Sequence, residues 1–241
     1  MKKCFLPALF IISFVLIFSC MSNRIIRENL QPLKSKREIV LLIFGDSVSG
    51  GTGVAGIRDF YGGILKQRIS ELFERPVSFI NSSRADESYL FAPRRIQSDI
   101  QSFRPDIVFI MLGLVDAFMP NMPPSAQKKS LDKLYSTLQR NNTFVIVLTT
   151  TGLRDFAGTD DPRLITLKEY NQIVRESALY HHFPVVDIFR HMEKYRMLHP
   201  EEYRTLFASQ FLLSKKGHEF VADFIYQSIE QNFEELPEKS R

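Results

Sequence analysis

The stretch Ile39-Val40-Leu41-Leu42-Ile43-Phe44-Gly45-Asp46-Ser47-Val48-Ser49-Gly50-Gly51-Thr52-Gly53 sets the architecture of this chain. Its first six residues are continuously apolar and rich in branched side chains, as in a strand covered on both faces. The run breaks at Gly45, and a glycine-rich loop follows. A buried strand that delivers a serine into a tight turn is a way to present a nucleophile. Ser47 is therefore the first candidate catalytic residue.

Four further runs have the same character: Val77–Ile80, Ile107–Leu112, Phe144–Thr149 and Val185–Ile188. Between them lie amphipathic helical patterns. Leu131, Leu134, Tyr135 and Leu138 share one face, as do Leu167, Tyr170, Val174 and Ala178, and then Val221, Phe224, Ile225 and Ile229. Pro93 suits a first helical position ahead of Ile96, Ile100 and Phe103. Strands alternating with helices predict an α/β fold: a three-layer α/β/α sandwich around a parallel five-stranded sheet. A site is then expected at the carboxyl ends of the strands, where Gly45, Asn81, Gly113 and Thr149 fall. Two longer loops are expected, Thr150–Arg163 and the polar stretch His191–Arg204.

The chain has 241 residues, enough for one domain with a substantial core. Its net charge is +4, to which Lys2 and Lys3 contribute two, and no dense basic stripe supports nucleic-acid binding. The 21 phenylalanines are read as core rather than as an acyl-binding stripe. No cysteine–histidine cluster supports zinc and no phosphate-binding glycine motif supports a nucleotide, so neither a metal nor a cofactor is expected.

Met1-Lys2-Lys3 followed by the apolar Phe5–Phe18 has the form of a secretory leader, too short for a comfortable membrane span. It ends at Ser19-Cys20, and Cys4 and Cys20 are the only cysteines. That ending resembles a bacterial lipobox, in which the cysteine becomes the lipidated mature N-terminus. The plainer alternative is an ordinary leader or uncleaved anchor with an incidental cysteine. The expected division is a signal peptide over 1–19, lipidated Cys20 and a polar tether to 37, a domain over 38–235 and a tail over 236–241. The resemblance implies export and anchoring of the protein to a membrane of the bacterial cell envelope.

From Ile39 to Ile229 the ordered motifs resemble the SGNH (GDSL-type) hydrolase family, whose domain is flavodoxin-like. Gly45-Asp46-Ser47 matches the first block, Phe79-Ile80-Asn81 with its polar loop the second, and Pro105–Asp116 the third. Tyr170-Asn171, Val186-Asp187 and Leu213–His218 fit further family habits. In an active member a histidine takes the serine proton, an aspartate three residues earlier orients it, and three donors hold the oxyanion. Carried over by position, the donors fall on the Ser47 and Asp86 backbone amides and on the side chain of Val115, where the family has asparagine. The aspartate and histidine positions fall on Ser209 and Leu212.

Only Ser47 keeps its chemistry. The expectation is a catalytically degenerate envelope lipoprotein acting by binding, with a small acyl or glycan ligand or an envelope protein as partner. The alternative is a serine ester hydrolase in which His191 or His199 supplies an unconventional base. His181-His182 are expected to complement a helix C-terminus, and His218 to face solvent or packing. Asp46 and Asp116 are expected to brace their turns, Asp187 to cap a helix, and Asp155, Asp160 and Asp161 to be solvated rather than to bind a cation.

Overall fold

The structure, a computed structural model, describes residues 21–118, 123–140 and 143–236. The leader, Cys20 and residues 237–241 of the expected tail lie outside the described residues.

Five strands form one sheet in the order β2-β1-β3-β4-β5: β1 (Ile39–Gly45), β2 (Val77–Asn81), β3 (Ile107–Met111), β4 (Val145–Leu148) and β5 (Val185–Val186). Every pairing is parallel. The apolar runs are continuous because both faces are covered. Leu41, Ile43, Phe109, Met111, Ile146, Leu148 and Val186 enter one apolar cluster, and their neighbours Leu42, Phe44, Val108, Ile110, Val147 and Val185 enter the other. Alternation along each strand thus feeds two cores rather than core and solvent.

The first cluster is covered by α2 (Tyr61–Phe73) and α9 (Lys215–Glu234). The second is covered by the short α3 (Ile96–Asp99), by α5 (Pro124–Gln139) and by the second half of α6 (Pro162–Tyr180). This is the three-layer α/β/α sandwich that the sequence predicts. Helix α4 (Leu114–Phe118) follows β3 directly, and α7 (Ile188–Leu198) and α8 (Pro200–Thr205) follow β5.

Four expectations change. The polar stretch 21–37, expected as a tether, is helical over 21–33 (α1). Ile26, Leu30 and Leu33, spaced for one helical face, are buried in the first cluster. The Ser22 hydroxyl accepts the Val185 N–H (3.3 Å), and Asn232 donates to Asn23 (3.3 Å). Arg27 pairs with Glu235, and the Lys34 ammonium lies 4.4 Å from the Phe233 ring centre. The loop expected over His191–Arg204 is α7 and α8, because Phe189 and Met192 give α7 a buried side. The strand expected to reach Ile188 stops at Val186, where Asp187 accepts the Arg190 N–H (3.2 Å) and caps α7. Behind Pro93 the chain forms two single 3₁₀ turns flanking α3, and Phe103 is 48% exposed.

No helix among the described residues is long and apolar enough to cross a membrane.

Candidate functional site

Four loops meet at the carboxyl end of the sheet. The first is the turn after β1. A Cβ on Gly45 would lie 2.3 Å from the Met111 carbonyl oxygen and 2.4 Å from Ser49 Oγ, so only glycine lets β1 turn beside β3. The turn then closes on itself. Asp46 Oδ1 accepts the Val48 N–H (3.0 Å), the Gly50 N–H donates to the Asp46 carbonyl (2.8 Å), and the Thr52 N–H donates to the Ser47 carbonyl (3.0 Å). Asp46 braces its turn as expected. Ser47 is half-buried, while Ser49 is fully buried and receives the Tyr61 hydroxyl (2.8 Å).

The second loop follows β2 and is stitched to β1. The Ser82 and Arg84 amides donate to the Ile43 and Gly45 carbonyls (2.8 and 2.9 Å), and Asn81 donates to the Ser49 carbonyl (3.3 Å). Asp86 stands exposed at the outside of this loop. Beside it the buried Glu87 pairs with Arg95, which also donates to the Ser82 carbonyl (2.6 Å) and to Asp99 (2.7 Å).

The third loop is Gly113 and α4. Gly113 has φ 116°, a conformation that glycine tolerates, and it brings Val115 into a half-buried position. The buried Asp116 accepts the Tyr89 N–H through both oxygens (3.1 and 3.2 Å), while the Tyr89 hydroxyl donates to the Leu112 carbonyl (2.6 Å). Tyr89 therefore fastens the second loop to the third, and Asp116 ties more than its own loop.

The fourth loop precedes α9. Phe207 and Leu213 form an antiparallel bridge around a turn in which the Ala208 N–H donates to the Leu212 carbonyl (2.8 Å) and Ser209 Oγ accepts the Leu212 N–H (3.2 Å). A Cβ on Gly53 would sit 3.6 Å from Leu212 Cβ, so this turn lies against the serine's own loop. The Phe211 ring is 5.2 Å from Phe118 of α4. The loops bearing Ser47, Asp86, Val115, Ser209 and Leu212 are thus brought to one end of the molecule.

Burial dominates the electrostatics beneath them. Desolvation, assisted by the nearby Asp116, lifts the Asp46 carboxyl to about 7. Asp116 is lifted to about 6, mainly by burial. Asp46 Oδ2 is buried without a hydrogen-bond partner. Burial also pushes the Tyr61 and Tyr89 phenols upward.

No base reaches the serine. Among the described residues Ser47 Oγ makes no hydrogen bond, and four of the five histidines are engaged elsewhere, while His182 follows the end of α6 with φ 56°. His218 is fully buried in α9, stacked on Tyr61 with Nδ1 accepting the Tyr61 N–H (3.4 Å), and burial lowers its pKa to about 4. It is a packing residue. His191 stacks on Phe224 (3.8 Å between ring centres) in α7, and His199 stacks on Tyr195 (4.8 Å) between α7 and α8. Neither sits on a loop folded over Ser47, as the alternative reading required. His181 closes α6, but burial pulls it toward its neutral form and it hydrogen-bonds Gln139 (3.1 Å), so it does not act as a helix-end cation.

Asp187 receives a hydrogen bond from Arg175 (3.1 Å) in addition to capping α7. Asp161 caps α6 and is held well below the usual carboxylate range by hydrogen bonds from Arg163 and the Ala157 N–H. No three acidic, His or Cys side chains among the described residues form a group able to hold a metal. The sequence reading missed the Tyr61–Ser49 pair and Tyr89. Of the two environments expected for His218, packing is the one found, and the 218, 221, 222, 225, 229 spacing marks it as inward-facing.

Comparison with known proteins agrees with this architecture. The model of the GDSL-like lipase/acylhydrolase family matches residues 43–219. Among solved structures, the chain is similar to the acetyl xylan esterase AlAXEase, with TM-score 0.69 and 18% identity over 79% of this chain and 100% of that one. It is also similar to an acetylxylan esterase from Geobacillus stearothermophilus, with TM-score 0.67 and 18% identity over 79% of this chain and 94% of that one. A lipase/acylhydrolase from Enterococcus faecalis has TM-score 0.66 and 19% identity over 80% of this chain and 96% of that one. The chain matches no curated protein sequence.

Proposed function

Given that the chain belongs to the GDSL-like lipase/acylhydrolase family, we propose that it is a catalytically degenerate member, held at the bacterial envelope by lipidated Cys20, whose cleft binds a ligand without hydrolysing it. One observation carries this reading: Ser47 is presented by an intact turn, yet its hydroxyl meets no base among the described residues. Leu212, at the family's histidine position, packs against Gly53 of that same loop. Val115, at the asparagine position, has no side-chain donor. Phe118, Phe211 and Leu212 are all part-exposed near this rim and make it apolar. Such a rim suits the acyl part of a small acylated ligand better than a developing oxyanion, and the esterase neighbours support an acylated glycan as the ligand class.

The magnitudes favour loss of turnover. Removing one oxyanion donor costs about 10²–10³ in rate, and removing the base of a serine triad on the order of 10⁶. The test compares the wild-type protein with Ser47→Ala using p-nitrophenyl acetate and a fluorophosphonate probe. The expected result is equal background hydrolysis and no labelling in both. Labelling that disappears in Ser47→Ala would restore the hydrolase reading. The anchor is tested separately: incorporation of labelled palmitate is expected in the wild type and absent in Cys20→Ala, and label persisting in the variant refutes it.

A further inference from the structure

We propose that the face formed by the start of α1 and the exposed side of α7 rests on an anionic lipid surface and fixes the orientation of the domain at the membrane. The proposal rests on the lipidation of Cys20 for its setting, but the surface itself is read from other residues. Because α1 is docked on the core, Ser22 already belongs to the rigid body, where its hydroxyl accepts the Val185 N–H. Only Met21 separates it from Cys20. At about 3.8 Å per residue, the cysteine cannot stand more than about 8 Å from Ser22. Whatever surface an acyl chain on Cys20 enters, this face of the domain must lie close to it.

The chemistry of the face fits that neighbour. Ser22 lines a cavity of about 380 Å³ together with Val185, Phe224, Arg190, His191 and Lys194. The two cations come from α7, and at 100° per residue Arg190, Lys194, Met197 and Leu198 all fall within about a third of the helix circumference. Met197 and Leu198 are 69% and 65% exposed, among the most exposed large apolar side chains of the molecule. The opposite side of α7, with Ile188, Phe189 and Met192, is buried.

The nearby acids do not cancel the charge. Asp187 is engaged by Arg175 (3.1 Å) and Arg190 (3.6 Å), and Glu193 by Arg196 (3.0 Å). Lys194 is exposed and has no acidic partner among the described residues. A helix side that combines cations with exposed Met and Leu is the pattern of interfacial binding, and each cation near an anionic surface adds about 1 kcal/mol of attraction that would orient an already anchored domain.

The test uses the full chain, extracted from membranes and reconstituted into vesicles of phosphatidylcholine alone or with 30% phosphatidylglycerol. An environment-sensitive fluorophore is placed at Met197→Cys, with Phe103→Cys as the control, since Phe103 is exposed on the α3 side of the sheet. On anionic vesicles the Met197 label is expected to blue-shift and to be quenched by doxyl-labelled lipid, while the Phe103 label is unaffected. Arg190→Glu with Lys194→Glu is expected to return the Met197 signal to the control level although the protein still floats with the vesicles. A Met197 label that behaves like the Phe103 label, in protein that floats, overturns the proposal. If mass analysis finds Cys20 unacylated, the anchor reading fails and the surface is judged by unanchored binding. Flotation with anionic but not neutral vesicles, weakened at least roughly thirtyfold by the double reversal, then supports it, and no flotation overturns it.

Discussion

Asp46 keeps a proton that an ordinary aspartate sheds. Its carboxyl is lifted to about 7, first by burial and then by Asp116. Between pH 4 and 7 the folded chain therefore holds a proton that the unfolded chain has released, and stability from this group falls as the pH rises. Asp116, lifted to about 6, acts in the same direction. His218, lowered to about 4 by burial, acts in the opposite one, because the unfolded chain takes up a proton below pH 6.5 that the folded chain refuses. Above pH 6.5 the histidine contribution is complete and only the carboxylates still change. Asp46→Asn retains an oxygen for the Val48 N–H and cannot ionise. Over pH 5 to 7.5 the two carboxylates together outweigh His218, so we expect thermal unfolding to show the wild type losing on the order of 2 kcal/mol and the variant, left with Asp116 against His218, losing none. Equal slopes in the two proteins would assign the titration to another group. None of this is legible in sequence, where Asp46 is simply the middle of a motif. The proton follows from being sealed under Val48 and Ser49, which only the folded turn does.

Among the elements, α1 departs furthest from its sequence reading. Arg24, Arg27 and Glu28 give the segment a polar composition, which conceals the i, i+4, i+7 spacing of Ile26, Leu30 and Leu33. Leu30 is fully buried, so Leu30→Ala should cost about 2–5 kcal/mol in chemical denaturation. A polar tether would give a change near zero, so the size of the effect decides whether α1 belongs to the fold. The strands were legible for the opposite reason. Apart from Ser78 in β2 their apolar runs have no polar face to confuse the reading, and only the end of β5 moved by more than one residue, because Asp187 finds an amide donor in α7 before Ile188 can pair. α7 and α8 were read as loop because four of eleven and three of six of their residues are charged. Their buried side rests on Phe189, Met192 and Tyr203, too few in number to stand out against eleven and six residues of mixed composition.

At the scale of the whole molecule, the site is an assembly of four loops that are far apart in the chain. Motif order assigned Ser47, Asp86, Val115, Ser209 and Leu212 to family positions, and the fold gathers the loops that carry them. Motif order was not enough to find the tie between the second and third loops, Tyr89 to Asp116, or the tie of the first loop to α2, Tyr61 to Ser49, since contacts across 27 and 12 residues leave no spacing signature. Because the fold still brings the four loops together, restoring the missing groups together is a direct test of the assignment. Val115→Asn with Ser209→Asp and Leu212→His is expected to raise p-nitrophenyl acetate hydrolysis at least about 10³-fold over the parent, and Ser47→Ala in that background to remove the gain. No gain in a folded triple variant would mean that the loops are misaligned by more than side-chain chemistry can repair. Gly45 shows what the turn itself requires. It is held by clearance, 2.3 Å from a neighbouring carbonyl were it to carry a Cβ, and Asp46 by the amides it caps. Ser47 itself answers to no such constraint. Two of the three signature residues are therefore kept by the geometry of the turn, so the signature marks the fold whether or not Ser47 reacts.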